Sequence, residues 1–395
     1  MDREEAIRVT KDQRLRPIVE DFLGMFGPVR TFELARETAR NYIYDLRKKG
    51  EISFSDPVEG EVPSIHVVRK TLPEAWETTL MALVGIGQEA HTHYDPGHNK
   101  GKYESFPSLE ASTTMHIEEP RSEPRFHLHF LTSQFGDYRA EMEGVKDHWV
   151  LNPEVIVDLL KTGKFGEVKD YTGWLYSYSQ RMRAYPYIDM EGQPQVINQI
   201  QSAIDNLTNN PLSRSAQFIT WDPRWDHNDG STKYKDSEGK ILDAVFDDYH
   251  APCLQRIHLR LVPFKDGFKL NPNTSWRSRC HVKAVPHNVY GMIEGMIEPT
   301  RQELEKALKV PVVMGRYLDT SDSLHVYGHY LDQRAQGKDA EAYLEDIFRI
   351  ARGEPIGCRI MKPGDGIYED TIAEIAQEYR ERKANPDKGR ESARG

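Results

Sequence analysis

Apolar positions recur at helical spacing from about Gln13, where RLRPIVEDFLGMFG stops at a glycine and TFELARETARNYIYDLRKKGEI takes the pattern up again. Two or three short helices are predicted there, followed by an extended arm reaching Phe54. Strand-like alternation appears in SLEASTTMHI and in HLHF around His127 and His129, each predicting a strand with one buried face. From Pro194, QVINQIQSAIDNLTNN predicts a helix that ends at Pro211, and SRSAQFITW then extends. CLQRIHLRLVPF alternates through Leu254, Ile257, Leu259 and Leu261, reaches the turn signal Lys265-Asp266-Gly267 and continues as FKLNPNTSWRSR. That is a hairpin pattern, and folding it back would return Arg277 and Ser278 toward Cys253. VYGMIEGMIEPTRQELEKAL, AEAYLEDIFRIA and YEDTIAEIAQEYRER predict later helices, with VPVVMGRYLDTSDSLHVYG as strand and loop between the first two.

Polar stretches such as EAHTHYDPGHNKGKYESFP and DPRWDHNDGSTKYKDSEGK read as loops, and no internal repeat is visible. Strands interleaved with long helices predict an α+β or α/β core. The organisation expected is a helical or winged-helix-like module over residues 1–60, a catalytic domain over 61–383 and a disordered tail over 384–395. Arg40, Arg47, Lys48 and Lys49 give the module's last helix a basic face; a docking or dimerisation appendage with a solvated charged face explains the same residues.

Charge narrows the partners. A net charge of −10 over 395 residues disfavours a general nucleic-acid coat, so a phosphate ligand must be held by a few local arginines. The three cysteines, 253, 280 and 358, match neither a disulfide framework nor a CxxC zinc site and fit a reducing cytoplasm. No signal peptide and no apolar run of about 18 residues is present, so a soluble protein is expected. No metal is expected either: His91, His93 and His98 lack a Cys or carboxylate at ligand spacing, and His127 and His129 fit a strand.

The candidate chemistry centres on Cys253 in HAPCLQ. His250 precedes it and the hairpin would bring Arg277, a cationic setting that raises a thiol's thiolate fraction. A lone cysteine is more often an inert buried thiol, so the neighbouring motifs decide. APC, then WRSRCHVKAVPHN, then SDSLHVY, in that order, resemble the catalytic half of thymidylate synthases, nearest to the divergent bacterial and archaeal branch. GWLYSYSQR, INQI and NPLSRS resemble that family's active-site tyrosine strand, its Asp-Gln helix and its phosphate-binding arginine turn; the resemblance covers Tyr171 to Tyr330.

The resemblance implies an α+β fold, a mixed sheet packed with long helices, and an enzyme that transfers a one-carbon unit to C5 of a pyrimidine nucleoside monophosphate, dUMP foremost. Cys253 matches the nucleophile, and Arg277 and Ser278 the pair that binds phosphate, for which a bidentate guanidinium is suited. Asn288 matches the reader of the pyrimidine edge, and His325 and Tyr327 the pair that holds the sugar hydroxyl. Tyr178 falls on the tyrosine element, Glu141 or Glu143 is the candidate for proton traffic at O4, and Arg214 matches an arginine that reaches the partner's phosphate in a homodimer with shared sites. The implied cofactor is 5,10-methylenetetrahydrofolate. Cys280, however, replaces the family's folate-contacting aspartate, and a thiol cannot accept a pterin's paired N–H groups as a carboxylate does. The polar chain end also differs from the family's apolar closing segment, which opens 5-hydroxymethyl synthesis as an alternative to 5-methyl. A catalytically inactive nucleotide-binding regulator is a further alternative.

Overall fold

A computed structural model of the protein describes residues 18–92, 95–97, 102–130, 134–150, 176–222, 226, 234–235, 241–242 and 251–387. In chain order the first elements are α1 (Ile18–Lys48), β1 (Ile52–Phe54), β2 (Ser64–Arg69), α2 (Leu72–Ile86), β3 (Gln88–Ala90), β4 (Ser108–Ile117), β5 (Phe126–His127) and α3 (Phe135–Met142). Next come α4 (Tyr178–Arg183), β6 (Tyr185–Ile188), β7 (Pro194–Ile197), α5 (Gln199–Asn209), β8 (Gln217–Ile219), β9 (Tyr234–Lys235) and β10 (Ile241–Leu242). The last are β11 (Leu254–Phe264), β12 (Gly267–Cys280), α6 (Ala284–Met292), α7 (Glu298–Leu308), β13 (Val312–Met314), β14 (Tyr317–Val326), α8 (Lys338–Ala351), β15 (Ile360–Met361) and α9 (Gly366–Ala384). Long helices with both parallel and antiparallel strand pairs make the fold α+β. The chain forms two compact units: residues 1–132, 276–288 and 316–373 make the first, and 133–275, 289–315 and 374–395 the second. None of the described helices is long and apolar enough to cross a membrane.

In the first unit the strand order is β1-β2-β4-β14, with β3 also paired to β4; β2 and β4 are parallel and the other pairs antiparallel. The alternation of SLEASTTMHI becomes β4, with Leu109, Ala111, Thr113, Met115 and Ile117 buried on one face and Glu110, Ser112, Thr114 and His116 on the other. Helix α2, apolar almost all round, is buried along nearly its whole length, and its entry is fixed by Glu74 Oε2 accepting the Thr71 N–H at 2.9 Å. Helix α1 packs along it with the buried stripe Phe32, Ala35, Ala39, Ile43 and Leu46. Burying each large apolar side chain of this kind contributes about 1.5–3 kcal/mol.

The N-terminal part follows the expected pattern of helix, glycine and helix. It is one helical run broken at Gly27, whose φ of 75° only glycine adopts readily, with Pro28 starting the second segment. Both α1 and β1 pack and pair within the first unit. The basic face has a structural use: Arg36 donates to Val84 O at 3.1 Å and Gly87 O at 3.0 Å, and Arg40 to Gly85 O at 3.0 Å, capping the carbonyl end of α2. Gly85 permits this approach, since a Cβ there would lie 2.8 Å from Arg40 N. Arg47 pairs with Asp56 and Lys48 with Asp45. HLHF departs from a one-faced strand. Only Phe126–His127 is extended, and all of residues 126–130 are buried.

In the second unit the strand order is β12-β11-β8, with β13 parallel to β12. The β11–β12 hairpin is present, but its left-handed residue is Lys265, at φ 52°, and not the glycine. Gly267 is required for close approach instead: a Cβ there would lie 2.0 Å from Pro311 O, beside the Phe268 N–H bond to that same oxygen. Helix α5 buries Ile200, Ala203, Ile204 and Leu207 on one face. It starts later than the periodicity predicts, because residues 194–197 pair with β6 and Asn198 caps the helix by accepting the Gln201 N–H at 3.0 Å.

Candidate active site

Cys253 is a half-buried free thiol immediately before β11. Tyr178, expected on a strand, is the first residue of helix α4. Ser177 caps that helix by accepting the Gln180 N–H at 2.9 Å. Asp147 accepts the hydroxyls of Ser177 at 2.7 Å and Ser179 at 3.1 Å, bracketing Tyr178 on both sides. The Tyr178 hydroxyl oxygen in turn accepts the backbone N–H of Leu254 at 3.4 Å, next to Cys253. Burial, and after it the Cys253 thiol, push the Tyr178 pKa well above that of free tyrosine, so its hydroxyl keeps its proton at neutral pH.

One turn along α4, Arg181 is buried in a bidentate pair with Asp226, the Nη2–Oδ1 bond being 3.0 Å, and donates to Thr220 O at 2.5 Å. The Thr220 hydroxyl donates to Leu254 O, so both polar backbone atoms of the residue after Cys253 are held by this ring of contacts. Tyr176 stacks on the guanidinium at 4.5 Å, and Asp226 also accepts the Asp222 N–H at 2.6 Å. Burial raises the Asp226 pKa and Arg181 pulls it back. Gln199, from the INQI element, braces the same region: its amide donates to Arg181 O at 3.0 Å and Ile219 O at 2.8 Å and accepts the Ile219 N–H at 3.0 Å. Asp147, Arg181, Thr220 and Asp226 were not singled out from the sequence; their only signal there is acid-rich DPRWD and the arginine of YSQR.

The glutamate candidates have other partners. Glu141 sits 3.3 Å from Lys146, which also pairs with Asp137 at 2.7 Å, and burial raises its pKa. Glu143 accepts the Tyr379 hydroxyl at 2.5 Å and pairs with Arg139 and Lys383, each at 3.1 Å, tying α3 to α9. Arg214 is exposed; the turn that carries it is pinned from β11 by His258 donating to Arg214 O at 3.0 Å and Arg260 to Leu212 O at 2.6 Å.

The remaining candidates belong to the first unit. Arg277 and Ser278 are half-buried near the end of β12, and Arg279 beside them is buried against Asp319 and Ser321. Cys280 lies at the entrance to α6; burial pushes its thiol pKa up, and the N–H groups of Lys283, Val282 and Ala284 oppose the rise. Asn288 is buried on α6. His325 on β14 and Tyr327 just after it meet edge-on with ring centroids 4.6 Å apart. Burial holds the His325 pKa below that of free histidine, leaving the ring neutral near pH 7.

His127, His129 and Asp346 bring possible ligand atoms within 4.8 Å of one another. Both nitrogens of His127 are already engaged, Nε2 with Glu77 at 2.9 Å and Nδ1 as acceptor of the His129 N–H at 3.0 Å, while His129 Nε2 lies 2.5 Å from Asp346. Both ring nitrogens of His127 are thus hydrogen-bonded, and a metal would have to displace Glu77 and the His129 N–H to reach them. His93, His98, His250 and residues 171–175 lie outside the described residues.

No protein-family model matches the chain. Two curated relatives carry the name "Putative thymidylate synthase". One, from Methanocaldococcus jannaschii, is 28% identical over 187 residues, spanning 47% of this chain and 69% of the relative. The other, from Methanococcoides burtonii, is 27% identical over 163 residues, or 40% of this chain and 55% of the relative. In sequence the chain is similar to these two relatives at under 30% identity. Among solved structures, a thermostable thymidylate synthase A from Bacillus subtilis shares 15% identity at a TM-score of 0.41, covering 69% of this chain and 84% of that one.

Proposed function

We propose that this protein transfers a one-carbon unit to C5 of a pyrimidine nucleoside monophosphate through a covalent Cys253 intermediate. The observation that supports this most is the pairing of the Cys253–Leu254 backbone with a Tyr178 hydroxyl kept neutral by burial. In this reading the Cys253 thiolate adds to C6 of the base, and the electron pair moves onto C5 and O4 as an enolate, making C5 a nucleophile. After C5 has attacked an electrophilic one-carbon unit, the C5 proton passes to solvent water and the C5–H electron pair restores the 5,6-double bond, expelling the thiolate from C6. Tyr178 holds a hydrogen bond where that proton departs. Arg277 and Ser278 take the phosphate, Asn288 reads the base edge, and His325 and Tyr327 hold the sugar hydroxyl. Arg214, exposed on a pinned turn, reaches the partner's phosphate in a homodimer.

The resembled family takes dUMP and gives a 5-methyl product with methylenetetrahydrofolate. Cys280 does not fit that cofactor: a half-buried thiol at the start of α6 offers no carboxylate to a pterin's paired N–H groups. The same misfit favours keeping 5-hydroxymethylation as a second reading, since the methyl outcome needs a closed, folate-bound site. Glu141, deprived of ordinary acidity by burial, is the carboxyl assigned to O4. Mass spectrometry of UMP, dUMP, CMP and dCMP after incubation with the enzyme and a one-carbon donor tests the proposal. A 5-methyl or 5-hydroxymethyl product is expected, and recovery of all four unchanged would contradict it.

A further inference from the structure

Strands β4 and β14 pair antiparallel with His325 directly opposite Glu110, and Gln88 of β3 flanks Glu110 on its other side. Directly opposed residues project from one face of a sheet with Cβ atoms about 4.5–5.5 Å apart. This imidazole and this carboxylate nevertheless do not bond to each other. The ring's Nδ1 faces the carbonyl of Ser323 on its own strand at 3.4 Å, which assigns the ring proton to Nδ1. Nε2 is therefore an acceptor, and it is buried with no hydrogen-bond partner among the described residues. The half-buried Glu110 carboxylate is a second acceptor on the same face.

Two acceptors side by side on one face call for two hydroxyl donors at adjacent carbons. We propose that His325 and Glu110 together read the 2′,3′-diol of a ribose, so that the nucleotide is a ribonucleoside monophosphate, UMP ahead of dUMP. The inference rests on the reading of His325 as a sugar contact and alters only the sugar. A 2′-deoxyribose presents one hydroxyl to this pair and leaves the other acceptor facing a C–H bond, an unpaired polar group in a half-buried place. A carboxylate accepting a ribose 2′-hydroxyl is the same chemistry that dinucleotide-binding folds use.

Equilibrium binding of UMP and dUMP to the full-length protein, alongside kcat/KM for each, is the test. The wild type should bind UMP at least about tenfold more tightly than dUMP, the size of one charge-assisted hydrogen bond. Glu110→Ala should bring the ratio close to one, and Glu110→Gln should retain part of it, because the amide oxygen still accepts. The Glu110 side chain makes no hydrogen bond among the described residues, and an unchanged melting temperature will show that the variants fold. Wild type that binds dUMP as tightly as UMP, or a preference that survives Glu110→Ala, overturns the assignment. If the UMP preference holds but no tritium leaves C5, the transfer chemistry falls and the sugar reading stands. Tritium release with dUMP favoured is the reverse case, and failure to bind either nucleotide removes both.

Discussion

The hydroxyl oxygen of Tyr178 accepts the backbone N–H of Leu254, the residue that follows Cys253, at 3.4 Å. A side chain at the start of one helix thus fixes the first backbone amide of the strand behind the thiol. Tyr178→Phe should lower kcat for C5 tritium release about 10²-fold with little change in nucleotide affinity, because the lost contact is to the amide beside Cys253 and not to the groups assigned to phosphate, sugar and base. Steady-state kinetics with parallel binding measurements check this; an equal loss in binding would make Tyr178 a substrate-holding group only.

The Arg181–Asp226 pair behind Tyr178 is buried on both sides. Removing one partner leaves a charge uncompensated, so Arg181→Met should cost about 3–5 kcal/mol in a denaturant titration. The double variant Arg181→Met/Asp226→Leu should recover most of that loss. A double variant no more stable than the single one would show that the arginine's hydrogen bond to Thr220 O matters more than the pairing.

Glu378 accepts the Gly136 N–H at 2.9 Å at the start of α3, and burial pushes its pKa up to about 7 against the N–H groups of Asp137 and Gly136 and the charge of Arg382; the Asp137 charge adds to the rise. The folded form therefore holds a proton that the unfolded form has lost between about pH 4.5 and 7, and stability falls as pH rises through that window. Glu378→Gln should leave stability near pH 4 almost unchanged and raise it at pH 8. Melting curves at both values decide; a gain of equal size at both would mean that the carboxyl does not titrate there.

In the proposed reading, Asn288 presents one donor and one acceptor to a pyrimidine edge whose pattern inverts between uracil and cytosine. Uridylates should be preferred over cytidylates by ~1–3 kcal/mol, the cost of a mispaired buried polar group. Asn288→Asp should narrow or reverse the preference. A cytidylate preference in the wild type that survives Asn288→Asp would remove Asn288 as base reader.

Local pattern carried the fold where one face is buried and partners are near in sequence. SLEASTTMHI became β4 from Ser108 to Ile117, and the β11–β12 hairpin formed around Lys265 and Asp266. Tyr178 was misplaced on a strand because its helix depends on Asp147, 31 positions away, and the start of α5 was misread because residues 194–197 pair with β6. The uses of Arg36 and Arg40 at the end of α2, and of Arg181 with Asp226, are likewise set by tertiary pairing that periodicity does not register. The family motifs named Cys253, Arg277, Asn288 and His325 by order alone. Of the two glutamates, Glu143 bonds Tyr379 and Lys383, and Glu141 lies against Lys146 with its pKa raised by burial.

Release of tritium from uridylate labelled at C5, compared between wild type and Cys253→Ser, tests the central claim most directly. Addition of the thiolate at C6 is what loosens the C5 hydrogen, whereas phosphate, sugar and base contacts are assigned to other residues. The wild type should release tritium, and Cys253→Ser should release none above background while binding the nucleotide within a few fold. Undiminished release from Cys253→Ser would contradict the account.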